Sequence, residues 1–145
     1  MRRLALVLLL VCPAALVSCV NVDVPVDPRV AVSGDYDLQS LNGVPTPILT
    51  SNRPDMKYYL VASRMTISAL GGWTETTGIK RVMPNYPDEG SVSEQEGTWT
   101  YDAATGTVTL AADHVVGRIG TIVGSVMTLT IPTTDSTHVT YVYKK

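Results

Sequence analysis

Apolar and polar residues alternate with a period of two through most of the chain from residue 34 onward, and that pattern predicts strands. Tyr36 and Leu38 alternate with Asp35, Asp37 and Gln39, which places strand one at Asp35–Ser40. Leu41 to Lys57 reads as a long connection, opened by the turn signal Asn42-Gly43 and carrying Pro45, Pro47 and Pro54. Strand two is Tyr58 to Ala69, with Tyr59, Val61, Ser63, Met65, Ile67 and Ala69 assigned to the inner face. Gly71-Gly72 turns the chain into strand three, Trp73 to about Met83, whose threonines and charges do not settle its facing. A polar loop follows at Pro84 to Ser93. Strand four, Glu94 to Tyr101, carries Trp99 and Tyr101 on one face; strand five is Thr107 to Ala111. After a turn at Asp113-His114 come strand six, Val115 to Val123, strand seven, Val126 to Ile131, and strand eight, Thr137 to Lys144. Gly117 and Gly120 in strand six suit a close approach of backbones.

Eight strands joined mostly by short turns make antiparallel neighbours. An eight-stranded meander with one apolar face per strand can close on itself and remove its exposed edges. The expected fold is therefore all-β: an antiparallel eight-stranded up-and-down barrel, with a two-sheet sandwich as the alternative. An interior of this size is either filled by side chains or holds one small ligand.

The first residues follow a different pattern. Arg2 and Arg3 precede an apolar run, Leu4 to Leu16, broken only by Cys12-Pro13. This is secretory signal anatomy, too short for a comfortable membrane span. The run ends in Leu16-Val17-Ser18-Cys19, which resembles the lipobox of bacterial lipoproteins. The resemblance implies cleavage before Cys19 and acylation of that cysteine, which ties the chain to a membrane. Residues 1–18 are then the signal peptide, 19–33 the lipidated N-terminus and tether, and 34–145 the barrel domain. Val20 follows the cysteine in place of the aspartate that favours inner-membrane retention, so the expected location is the outer membrane, facing the periplasm. Val20 to Ser33, with Pro25 and Pro28, reads as an unpacked tether reaching roughly 40 Å at about 3.1 Å per residue.

Without the leader, nine Lys and Arg stand against 13 Asp and Glu, a net charge of −4. That balance, with no basic cluster before Lys144-Lys145, argues against nucleic acid as a partner. An acylated Cys19 leaves no thiol for a disulfide, so stability must come from the core and the strand ladder.

Gly34-Asp35-Tyr36-Asp37-Leu38-Gln39-Ser40-Leu41-Asn42-Gly43-Val44-Pro45 resembles the opening of small bacterial lipocalin-like proteins. Gly97-Thr98-Trp99-Thr100-Tyr101, Gly106-Thr107-Val108-Thr109-Leu110, the stretch Gly124 to Thr130 and the closing Tyr141-Val142-Tyr143-Lys144-Lys145 are similar to later parts of that family. The resemblance implies a lipocalin-like barrel. The chain departs from true lipocalins in three ways, the first being that it has no clear match to their second motif, T-D-Y. Tyr36 stands where they carry a tryptophan, and Lys144 and Lys145 stand near their closing arginine, which allows only a weaker cation–π cap.

Candidate chemistry is sparse. His114 and His138 lie 24 residues apart without metal-ligand spacing, and Asp113-His114 are adjacent residues that would point to opposite faces of a strand. No nucleophile elbow, P-loop or dinucleotide fingerprint occurs in the sequence, so no enzyme or cofactor is expected. Asp88, Glu89, Glu94, Gln95 and Glu96 read as a solvated acidic loop, and Thr74-Glu75-Thr76-Thr77 as the solvent face of a strand. Met65, Trp99, Tyr101, Met127 and Tyr141 are the candidate ligand-binding residues, because methionine adapts to irregular contacts and tyrosine brings a hydroxyl into an apolar space. Two functions follow: a barrel that binds a small hydrophobic ligand, or a filled barrel that binds another envelope protein through its loops and rim, where Trp73 would supply an exposed aromatic.

Overall fold

The computed structural model describes residues 26–113, 115–132 and 137–145. The expected leader, Cys19 and the first part of the expected tether, together with His114 and residues 133–136, lie outside the described residues. The chain forms a short helix, α1 (Pro28–Val32), and ten strands: β1 (Gly34–Leu41), β2 (Val44–Pro45), β3 (Ile48–Arg53), β4 (Met56–Ile67), β5 (Gly72–Val82), β6 (Glu89–Asp102), β7 (Thr107–Ala112), β8 (Val115–Val123), β9 (Val126–Pro132) and β10 (His138–Lys144).

Strands β4 to β10 follow one another as antiparallel neighbours, and β1 pairs with β10 on one side and β4 on the other. These eight strands make the closed antiparallel up-and-down barrel that the alternation predicts, and a single closed sheet excludes the sandwich. The seam is short. Gly34 to Asp37 of β1 pair with Ile67 to Arg64 of β4, and above them the walls part. There β1 takes β2 at Ser40 and Leu41, while β4 takes β3 from Met56 to Leu60. The expected long connection Leu41–Lys57 thus holds two strands that lengthen the parted walls. The expected polar loop at Pro84–Ser93 is also shorter, because β6 begins at Glu89 and pairs with β5 along its whole upper half. Residues 89–97 of β6 extend beyond β7, which pairs only from Thr98 to Asp102. The barrel therefore has a narrow end at the 68–71, 103–106 and 124–125 turns, and a wide end where β3, β4, β5 and β6 stand out as a wing.

The narrow end is plugged. Asp27 caps α1 by accepting from the Arg29 amide at 2.9 Å, and Pro28 sits in its first turn, where a missing N–H costs nothing. Val32 is buried, and the Tyr36 hydroxyl donates to its carbonyl at 2.5 Å. Lys145 Nζ lies 5.9 Å from the Tyr36 ring centroid and donates to the Ala31 and Ser33 carbonyls. The lysine cap over Tyr36 is therefore present. The tether is corrected in turn: residues 28–33 pack against the barrel rather than extending from it.

Above the plug, Tyr36, Met65, Ile67, Trp73, Trp99, Val108, Leu110, Ile122, Met127 and Leu129 form the core. Two strands approach too closely for a side chain. A Cβ at Gly97 would run into the Ala111 carbonyl and the Trp73 indole nitrogen, and one at Gly120 into the Thr128 carbonyl. Strand two also needs correction. A bulge between Leu60 and Ala62 shifts its phase, so Ser63, Met65 and Ile67 face inward as expected, but above the bulge Leu60 is buried and Val61 is exposed. One added residue moves every side chain beyond it to the other face.

Candidate functional site

Halfway up the barrel, the apolar filling gives way to charge. Glu75 of β5 and Arg118 of β8 face each other across the interior, 4% and 8% exposed. The Arg118 guanidinium donates to Glu75 Oε2 through one nitrogen and to Gln95 Oε1 at 2.7 Å through another, while its Cζ lies 5.5 Å from the Trp73 ring centroid. The other carboxylate oxygen of Glu75 accepts from Tyr143 Oη at 2.5 Å and from Ser63 Oγ at 2.6 Å. Five side chains from β4, β5, β6, β8 and β10 thus tie the walls together at one level.

The electrostatics follow from burial. The Tyr143 hydroxyl is driven well above the usual phenol range, first by desolvation and then by the Glu75 carboxylate it would have to face as an anion. Tyr141, stacked on Tyr143 with ring centroids 6.4 Å apart, is raised chiefly by burial as well. Among the described residues, no buried side-chain nitrogen or oxygen lacks a partner. Ser63 and Tyr143 both give their protons to a carboxylate that Arg118 neutralises, so the cluster is a closed set of donors and acceptors that binds strand to strand.

Alternation alone did not find this cluster, and Glu75 corrects it directly. Thr74-Glu75-Thr76-Thr77 is not simply a solvent face, because Glu75 is in phase with Trp73 and points inward. Trp73 is itself 3% exposed and donates its indole N–H to the Thr98 and Ala111 carbonyls at 3.0 and 3.1 Å, so it is not a rim aromatic. The signal was two opposite charges in phase with inner rows: Glu75 with Trp73, and Arg118 with Ile122. The acidic stretch is likewise not a loop. Glu94, Gln95 and Glu96 lie on β6, and farther up Glu89 pairs with Arg81 and Asp88 with Lys80.

All five candidate ligand residues lie on interior strand rows. Met65 and Met127 have no exposed surface and Trp99 is 3% exposed, its N–H donated to the Ser68 carbonyl at 2.7 Å. Tyr101 packs beside Trp99 with centroids 6.5 Å apart, and Tyr141 lies against Tyr143; both are half-buried. A side chain lining a void wide enough for water keeps some accessible area, so Met65 and Met127 are packed on all sides. Two surface grooves, of about 780 and 440 Å³, are lined by other residues, among them Thr74, Gly97 and Ala111 in the first and Ala62, Gly78 and Val92 in the second.

Among the described residues, no three His, Cys, Asp or Glu side chains converge as a metal site, and no helix is long and apolar enough to cross a membrane. No family model, curated protein or solved structure matches the chain. The class that the fold itself defines is a closed eight-stranded antiparallel barrel in up-and-down order, with one plugged end and one winged end.

Proposed function

We propose that this chain is a lipid-anchored lipoprotein of the bacterial envelope whose lipocalin-like barrel is a non-enzymatic interaction module with a filled interior. Its reading as a lipoprotein rests on the lipobox resemblance at Leu16–Cys19, and outer-membrane sorting follows from Val20. One observation supports the choice of partner over ligand: the inner face from the plug to the waist is already occupied. Met65, Met127, Leu129, Val108 and Tyr36 have no exposed surface, and the satisfied Glu75–Arg118 cluster spans the waist above them. What remains for recognition is the wing. The outer edge of β6 from Glu89 to Gly97 has no strand beside it among the described residues, and Val92 stands 73% exposed on it. A free edge offers backbone N–H and C=O groups to a strand from a partner protein, and Glu89, Glu94 and Glu96 along it select against indiscriminate pairing.

The test places a photo-crosslinking residue at Val92 on the wing and, as the control, at Ile119, which is 58% exposed on β8, outside the wing. A discrete protein adduct from Val92 and none from Ile119, in cells expressing the whole precursor, supports the module. Native mass spectrometry of the Cys19→Ser protein supplies the opposite outcome. A bound species of a few hundred daltons, lost on denaturation, would favour the small hydrophobic ligand instead.

A further inference from the structure

We infer that the plugged end of the barrel is a membrane-docking face, seated on the lipid surface that carries the anchor; this rests on the acylated Cys19 proposed above. Among the described residues, five of the eleven exposed large hydrophobics gather at this end: Val26 at 75%, Val30 at 53%, Leu70 at 96%, Val123 at 75% and Val126 at 37%. They form one neighbourhood. A Cβ placed on Gly71, beside Leu70, would come within 4.0 Å of the Arg29 guanidinium of α1, so the turn and the helix are neighbours. Lys145 joins α1 to the next turn, donating from Nζ to Ser33 and from its backbone amide to the Ser125 carbonyl at 2.8 Å, between Val123 and Val126. Leu70 in particular is held on a turn tip with almost its whole side chain in solvent, and nothing in the barrel needs it there.

The occupant follows from where the chain enters. α1 begins at Pro28, so only residues 20–27 separate Cys19 from the packed unit. At about 3.1 Å per residue that is roughly 25 Å of reach, attached at this end and not at the wing. The connecting residues themselves carry valine at 20, 22, 24 and 26. An acyl anchor on such a short leash keeps this end of the barrel nearest the bilayer. Charge does not draw it there. Arg29, Lys144 and Lys145 are balanced at this end by Asp27, Asp35 and Asp102. The contact is therefore a shallow apolar seating of side chains at the headgroup boundary, insensitive to salt.

The experiment uses the acylated full-length protein, purified from a bacterial membrane and reconstituted in phosphatidylethanolamine–phosphatidylglycerol vesicles. An environment-sensitive fluorophore is placed on single cysteines at Leu70→Cys and Val123→Cys, and at Val44→Cys and Tyr86→Cys near the wide end. All four positions are solvent-exposed, so the labels leave the core intact. The expected result is a blue-shifted emission at 70 and 123 that nitroxide lipids quench equally at low and high salt, with positions 44 and 86 unshifted and unquenched. An acyl mass on Cys19 with positions 70 and 123 as dark and red as in detergent-free solution overturns the docking face alone. Equal quenching at all four positions overturns it too. Absence of the acyl mass overturns the anchor itself.

Discussion

The Glu75–Arg118 pair supplies the sharpest quantitative prediction. The two side chains are 5% and 10% exposed, so solvent screens their interaction little. Arg118→Met leaves a buried carboxylate with only the Tyr143 and Ser63 hydroxyls, and Glu75→Gln leaves a buried guanidinium with only Gln95, an amide and the Trp73 face. Removing one partner of a buried pair costs about 3–5 kcal/mol, because the remaining charge stays desolvated and unpaired. At roughly 4 °C per kcal/mol for a domain of this size, each single variant should melt about 12 °C or more below the parent. The double variant Glu75→Gln/Arg118→Met is different. Its amide still accepts from Tyr143 and Ser63, no charge remains, and a buried pair replaced as a unit is close to neutral. Urea unfolding of the four proteins, with unchanged m-values, gives the cycle. The expected coupling is about 3 kcal/mol or more in favour of the pair. A loss below about 1 kcal/mol in either single variant, or additive losses in the double, would refute the claim that the waist is held by a desolvated ion pair.

Three further outcomes follow. Stability should fall as pH rises above about 10, where unfolded tyrosines ionise while Tyr143 in the barrel holds its proton, with Tyr36 and Tyr141 shifted in the same direction by burial; Tyr143 contributes a slope of up to about 1.4 kcal/mol per pH unit, so Tyr143→Phe should flatten the alkaline limb by one such increment in urea titrations run from pH 8 to 11. Gly97→Ala should cost about 3 kcal/mol or more, since its methyl meets the Ala111 backbone, while Gly90→Ala, with nothing near it, should stay within about 0.5 kcal/mol by thermal melting. Lys145→Ala should free α1 without unfolding the sheet, seen as faster hydrogen exchange at Ser33, whose amide bonds the Arg29 carbonyl, with β9 protection unchanged.

Most of the fold was legible because an antiparallel wall with one buried face writes its period directly into the chain. Strands six and seven, bounded by Gly124-Ser125, fall within a residue of β8 and β9. Legibility failed where a residue's neighbours come from elsewhere. β2 and β3 are short segments rich in proline and polar residues, ordered by the strands beside them. The bulge at Val61 leaves no local mark, because either phase of Tyr58 to Val61 is apolar enough to face inward. Residues 28–32 are too few to show a helical period, and their helix is set by the Asp27 cap and by Tyr36 and Lys145. The candidate site was half legible: the apolar inner row was read correctly as interior, but Glu75 was read as solvent-facing because a charge is seldom buried without a partner. That partner, Arg118, lies 43 residues away, and only the closed barrel brings the two together.

The seam has a consequence for how the chain reaches this state. β1 is locked by β10 from Asp37 to Leu41, so the first strand of the wall waits for the last one to be made. Every other neighbour in the wall, apart from the four-residue seam with β4, is adjacent in sequence and can zip as it emerges. The barrel therefore stays an open ribbon until β10 is available to pair with β1. The same dependence makes the C-terminus a latch: trimming Tyr141 to Lys145 would remove the strand pairs to β1, the Tyr143 hydroxyl at the waist and the lysine over Tyr36 in a single cut.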